Sequence, residues 1–285
     1  MIGAREWLGS LAPSLAPQRA ILESFLATSA RDERIRVLVV GCSLGRGVAD
    51  ALSDVDALIG VRPELWDSAL AETRRWVTAA GSVVDMNQIL LPTSTGGGRE
   101  YQHTYALYAD GVELDLSVSP ADREWSRRAD WIVLYDPDSL VPTEVTQSSP
   151  AVDDIRRWGY GALTRLNAVV KYLSRGALWE AHTCVELARA DIWRICAVAA
   201  EVRDAQYGVT AVFDDPRQPV PATMTQTVAS LDARSLAAAA RACCDLVMSA
   251  WPVAMHSLGA PPELPPLAAY VQERLARFPP SPPPA

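Results

Sequence analysis

Residues 112–118 alternate with a period of two: Val112, Leu114, Leu116 and Val118 fall on one face, Glu113, Asp115 and Ser117 on the other. That is the pattern of a half-buried strand, and Asp110-Gly111 just before it is a hairpin-turn signal. Residues 36–40 read as a short buried strand ending at Gly41, and 54–61 as a second strand, mostly apolar after Asp56. Strands are also expected at 83–91 and 101–109, around a flexible Gly96-Gly97-Gly98 loop, and at 131–135, closed by Asp136-Pro137-Asp138. Helical spacing appears in two places. Over 17–30, Pro17 stands in the first turn and Ile21, Leu22, Phe25 and Leu26 share a face. After Pro63, Leu65, Trp66, Ala69, Leu70, Trp76 and Val77 do so.

Beyond about residue 150 the strand signal vanishes. A helical pattern covers 153–206, broken at Ser174-Arg175-Gly176 with glycine as the stop. An Ala-rich helix follows over 232–255 and a short one over 266–278. The Pro-rich tail, 279–285, is expected to be disordered. The fold class is therefore α/β (α+β): a mixed-sheet core at 1–145, then an all-helical domain at 146–278. No internal repeat is visible.

At 285 residues the chain is long enough for two cores, and 49% hydrophobic with 21% charged residues describes a soluble globular protein. No stretch approaches the roughly 20 apolar residues of a membrane span, and 1–17 lacks the apolar core of a signal peptide. A cytoplasmic protein with no membrane partner is expected. The net charge of −8 speaks against a nucleic-acid partner held through phosphates and suits a small or cationic one. The five cysteines have neither zinc-like spacing nor disulfide-scaffold density, and Cys243-Cys244 reads as helix packing. His103, His182 and His256 have no partner at motif spacing and read as structural, as do Trp158, Trp179 and Trp193 as packing anchors.

The chemistry concentrates between residues 41 and 56. A glycine-rich turn, Gly41-Cys42-Ser43-Leu44-Gly45-Arg46-Gly47, follows the first strand, and Asp54-Val55-Asp56 opens the second. Strand side chains alternate, so Asp54 and Asp56 face the same way while Val55 enters the core. Nucleotidyl transfer is an in-line displacement at phosphorus, in which the protein positions reactants and neutralises charge. It calls for paired carboxylates and a third on a neighbouring strand to hold Mg²⁺, with backbone N–H groups for the phosphates. Asp54 and Asp56 form the pair and Asp115 the third acid, preferred over Glu113. Gly41 and Ser43 form the cradle. Arg46 either meets phosphate or pairs with Asp50 or Asp54. Glu113 or Glu100 could serve as general base. A P-loop is excluded because no Gly-Lys-Ser/Thr follows the turn, and the glycine spacing does not fit a dinucleotide fold.

The Gly41–Asp56 segment, with Ser43-Leu44-Gly45-Arg46-Gly47 and Ser53-Asp54-Val55-Asp56, resembles the signature of the DNA polymerase β-like nucleotidyltransferase superfamily. Within it the chain is most similar to the aminoglycoside and lincosamide nucleotidyltransferases. The Asp115 strand, Val133-Leu134-Tyr135-Asp136-Pro137 and residues 171–181 extend the likeness to about a third of the chain. The resemblance implies an NTP donor, ATP in the first instance, and Mg²⁺ on Asp54, Asp56 and Asp115. It also implies transfer of AMP to a hydroxyl of a small molecule such as an antibiotic. A protein or RNA acceptor, or a nucleotide-binding regulator without turnover, are the alternatives. In similar enzymes a lysine of the helical domain reaches the triphosphate, a role Lys171, the sole lysine, would take. One departure stands out: Cys42 interrupts the family's Gly-Ser or Gly-Gly-Ser turn. A small Cys fits there provided its backbone angles are ordinary.

Overall fold

The computed structural model describes residues 3–92, 100–123, 125, 127–146 and 149–277. The expected Gly96–Gly98 loop and the Pro-rich tail lie outside these. The chain divides into two compact units, residues 1–147 and 148–285.

The first unit opens with helices α1 (Ala4–Ser10) and α2 (Ala16–Ser29), then strand β1 (Ile35–Val40), the short helix α3 (Cys42–Arg46), strand β2 (Val55–Val61) and helix α4 (Trp66–Ala80). Strands β3 (Val83–Pro92), β4 (Glu100–Tyr108) and β5 (Glu113–Pro120) follow, then β6 (Arg127–Arg128), β7 (Ile132–Tyr135) and β8 (Val145–Thr146). Six strands form one mixed sheet in the order β3-β4-β5-β2-β1-β7. Its β2–β5 pair is parallel and the others antiparallel. The small β6–β8 pair stands apart.

Period-two burial explains why one face of this sheet carries the core. Val55, Ala57, Ile59 and Val61 of β2 and Leu114, Leu116 and Val118 of β5 point inward and pack with Ile21, Leu22 and Phe25 of α2 and Trp76 and Val77 of α4. A register irregularity between Ile35 and Val37 lets Ile35 and Leu38 of β1 share that core. Burying a side chain of this size stabilises by about 1.5–3 kcal/mol. Along the opposite face lie Val37, Val39, Trp125 and Val141 as a small separate cluster, and the polar positions Asp56, Asp115 and Ser117. Gly60 belongs to that face because Trp125 covers it; a Cβ there would lie 2.7 Å from the indole.

In the second unit, helices α5 (Val152–Leu173), α6 (Leu178–Ala199), α7 (Val209–Asp214), α8 (Ala233–Ser257) and α9 (Pro266–Arg277) surround a core that includes Leu163, Leu166, Ile192, Ile195, Cys243 and Val247. Gly159 has no Cβ because Trp251 occupies that space, with its ring 1.8 Å from the position a Cβ would take. The helix expected to run to residue 206 stops at Ala199: Glu201 and Asp204 adopt φ +53° and +57°, and a one-turn 3-10 segment, Ala205–Tyr207, follows. Trp179, expected as a packing anchor, is 70% exposed. The apolar-span expectation also needs correction. Ala233–Ser257 has the length and apolar composition to cross a membrane, yet 61% of its most apolar window is buried in this unit.

Candidate active site

Gln18 of α2, fully buried, donates from Nε2 to the Ala51 carbonyl at 3.3 Å and the Ser53 carbonyl at 2.8 Å. Within the same turn the Asp50 carboxylate accepts from the Leu52 amide at 2.9 Å, and the Asp50 amide donates to the Ser53 hydroxyl at 2.9 Å. This anchored turn delivers Asp54, exposed, to the start of β2, one residue ahead of fully buried Val55. Asp56 follows on the strand and is the register partner of Asp115 on β5. Directly paired residues share a face, so the two carboxylates stand on the side of the sheet opposite the main core.

The glycine-rich turn runs alongside. Gly41 is extended (φ −130°, ψ −158°) and its amide donates to the Asp56 carbonyl at 3.0 Å, which ties the turn to the carboxylate strand. Cys42 then adopts φ +52°. Its backbone angles are thus not ordinary: Cys42 is left-handed and carries strain that a glycine would not. Two other glycines have structural reasons. A Cβ on Gly45 would sit 1.8 Å from the Asp130 carbonyl oxygen, and Gly47 closes α3 at φ +75°. Gly41 has more room, with Trp131 at 3.5 Å from its notional Cβ. The Ser43 hydroxyl is buried and has no hydrogen-bond partner among the described residues. A buried orphan hydroxyl is unfavourable until something bonds it.

Electrostatics bind these groups together. Burial and the neighbouring Asp54 charge, with a smaller push from Asp115, raise the Asp56 carboxyl to about 6. The Cys42 thiol donates a hydrogen bond to it and Arg46 adds positive charge, both acting downward. The thiol itself is pushed up to about 12 by burial, the Asp56 charge and that bond. Burial and Asp54 also raise Asp115, against the pull of His103. Arg46 therefore lies within electrostatic reach of the cluster, while Asp50 is engaged by Ser53.

The structure adds two residues. His103 of β4, read as structural from sequence, places Nδ1 3.1 Å from Asp115 Oδ1. Asp130, 2% exposed, is held by Arg128 (Nε–Oδ1 3.2 Å, Nη2–Oδ2 3.4 Å), and its charge reaches Cys42. Asp56, Asp115, Asp130, Cys42 and Trp131 line a common cavity of about 150 Å³. Glu113 is exposed and accepts from the Tyr105 hydroxyl; Glu100 is exposed at the start of β4. Lys171 lies on α5 of the second unit, with Nζ 4.4 Å from the Tyr172 ring centroid and its charge acting on Cys184.

Among the described residues, no three His, Cys, Asp or Glu side chains are gathered as a ready metal-ligand set. Asp115 is turned to His103 and Asp56 to the Cys42 thiol. The donor chemistry nonetheless suits a hard divalent cation. Asp54 raises both of the other carboxyls, so the three repel one another, and the orphan Ser43 hydroxyl lies on the adjoining turn.

No family model matches the chain, and no curated protein matches it. Among the solved structures similar to it are the following two. An aminoglycoside 6-adenyltransferase from Bacillus subtilis is 17% identical, with 94% of this chain and 99% of that chain covered, at a TM-score of 0.41. A nucleotidyltransferase-like protein from Exiguobacterium sibiricum is 14% identical, with 85% and 78% covered, at a TM-score of 0.36.

Proposed function

We propose that the protein is a Mg²⁺-dependent nucleotidyltransferase that moves NMP, AMP from ATP in the first instance, to a hydroxyl of a small molecule. The observation that carries this reading is the register pairing of Asp56 with Asp115 on the face of the sheet opposite the main core, beside the Gly41–Gly47 turn. In the proposed reaction the acceptor oxygen forms a bond to the α-phosphorus and the bond from that phosphorus to the β-bridging oxygen breaks. The acceptor proton passes to a base and pyrophosphate leaves. Asp54, Asp56 and Asp115 would hold the cation, which when bound supplies charge neutralisation at the phosphates. Ser43 would use its orphan hydroxyl on a phosphate oxygen, and Gly41 would let the backbone approach it. Arg46 supplies positive charge next to the cluster.

The sequence resemblance to the antibiotic nucleotidyltransferases, with the net charge of −8, favours a cationic small acceptor such as an aminoglycoside. The test is incubation with each labelled NTP, Mg²⁺ and a panel of aminoglycosides and lincosamides. Label on an antibiotic with release of pyrophosphate supports the reading. Label on protein or RNA only would move the acceptor to that class. No transfer, with nucleotide binding unchanged in Asp54→Ala and Asp56→Ala, would overturn the site assignment.

A further inference from the structure

His103 belongs to the carboxylate face of the sheet, and the nucleotidyl-transfer reading gives it no task. Its place follows from the strand pattern. Gln102, Thr104 and Ala106 of β4 are buried, which sets His103 and Tyr105 on the other face, with Asp115 and Ser117 of β5. The residue directly opposite Asp115 is Tyr105, but its hydroxyl turns to Glu113. His103, whose own register partner is Ser117, reaches across the diagonal instead and sets Nδ1 3.1 Å from Asp115 Oδ1. Diagonal neighbours on a sheet face lie within reach of a side chain of this length.

Two features of this contact bear on cation binding. It engages one carboxylate oxygen only: among the described residues Asp115 Oδ2 takes no hydrogen bond, and the side chain is 47% exposed. A carboxylate accepts at both oxygens, so a partner on one orients the group without using it up. The second feature is repulsion. Asp54 acts on Asp115, and Asp115 in turn acts on its register partner Asp56, each by like charge. A half-exposed carboxylate so placed turns outward to water unless a donor holds it. His103 is the side chain in position to do so.

We propose that His103 is a positioning residue for Asp115: the imidazole holds Oδ1 and leaves Oδ2 to the divalent cation. This rests on the reading of Asp115 as a cation ligand given above. The strand β5 lies between β4 and β2, and the two oxygens of a carboxylate diverge. Seating Oδ1 on the β4 side therefore directs Oδ2 toward the side of Asp56. Since the carboxylate can only accept, Nδ1 is the nitrogen that carries the proton. Partners of this kind behind a metal ligand are worth about ten- to a hundredfold in metal affinity.

The test is titration of the full chain with Mn²⁺ at pH 7.5 without nucleotide, read from the electron paramagnetic resonance signal of the free ion. Two substitutions separate orientation from packing. His103→Leu keeps the bulk and removes the nitrogen, whereas His103→Asn gives up bulk and keeps an N–H donor close to the place of Nδ1. The His103 side chain is 28% exposed and outside the hydrophobic clusters, so both variants should fold. His103→Ala takes the place of His103→Leu if that one does not. Saturable binding to wild type is expected, about tenfold weaker or more in His103→Leu and in Asp115→Asn, with most of the loss restored in His103→Asn. No saturable binding to wild type, or an affinity unchanged in Asp115→Asn, would overturn the ligand reading and this proposal together. Weaker binding in Asp115→Asn with unchanged or tighter binding in His103→Leu would overturn the positioning role alone, as would a His103→Asn no better than His103→Leu.

Discussion

Asp56 of β2 and Asp115 of β5 are register partners across the parallel pair of the sheet. Each is raised above its ordinary carboxyl value by burial and by the charge of Asp54. Like charges on one face are costly unless a cation or a proton answers them. The first unit therefore keeps a destabilising feature at the place where the proposed chemistry needs it.

Asp56→Asn should accordingly stabilise the protein in the absence of metal. A carboxyl raised from its ordinary 3.8 to about 6 favours its protonated form in the folded state. Its cost is absent below the unfolded value, grows between the two and is fully present above about pH 6. Thermal unfolding at pH 7.5 should give a higher Tm for Asp56→Asn. Partial exposure of the group limits the gain to on the order of 1 kcal/mol. Near pH 3.5 wild type and variant should converge. A lower Tm at pH 7.5 would show that the carboxylate is satisfied by something else.

The turn glycines should separate by role. Gly45→Ala pushes a methyl into the Asp130 carbonyl and should cost about 1–3 kcal/mol or prevent folding. Gly41→Ala meets only ordinary contacts and should change urea stability by less than about 0.5 kcal/mol. If a phosphate approaches the Gly41 backbone, its nucleotide affinity should still fall.

Cys42 is testable through its positive φ. Cys42→Gly removes left-handed strain of about 1–2 kcal/mol and adds roughly 0.5–1 kcal/mol of unfolded-chain freedom, so it should be neutral to mildly stabilising. Cys42→Val puts a β-branched side chain in that conformation and should lose more than about 1 kcal/mol. An order other than Gly at or above Cys, and Cys above Val, in urea denaturation would contradict the assigned backbone.

A second pH effect belongs to the helix-covered side of the first unit. Burial pushes Asp32 up, but hydrogen bonds from Arg34, the Arg34 charge and the Trp76 indole outweigh it and hold its carboxyl below the ordinary value. A lowered carboxyl stabilises above its unfolded value, and that contribution is lost as pH falls through the folded one. Asp32→Asn should therefore flatten the loss of stability on acidification, most visibly below about pH 4.

The strands and helices near the proposed site could be read from the sequence because one face of each is buried. Leu114, Leu116 and Val118 mark the inner face of β5 and so place Asp115 outward. Pairing distant strands is another matter. Nothing local in the sequence says that β2 runs parallel to β5 in a register that sets Asp56 against Asp115. His103 is not legible for the same reason: it meets Asp115 because β4 pairs it with Ser117, two residues along. Asp130 lies in a segment without periodicity, and the left-handed Cys42 is masked by a residue type that ordinarily avoids that conformation. Its place next to Gly41 in a glycine-rich turn is the available signal.

The central claim is most directly tested by pyrophosphate release. Wild-type protein with ATP and Mg²⁺ should release pyrophosphate in step with label appearing on an aminoglycoside or lincosamide hydroxyl. Asp56→Asn and Asp115→Asn should each lower that rate by at least about a hundredfold while remaining folded. Release that continues undiminished in both variants, or no release from wild type with any hydroxylic acceptor, would contradict the account.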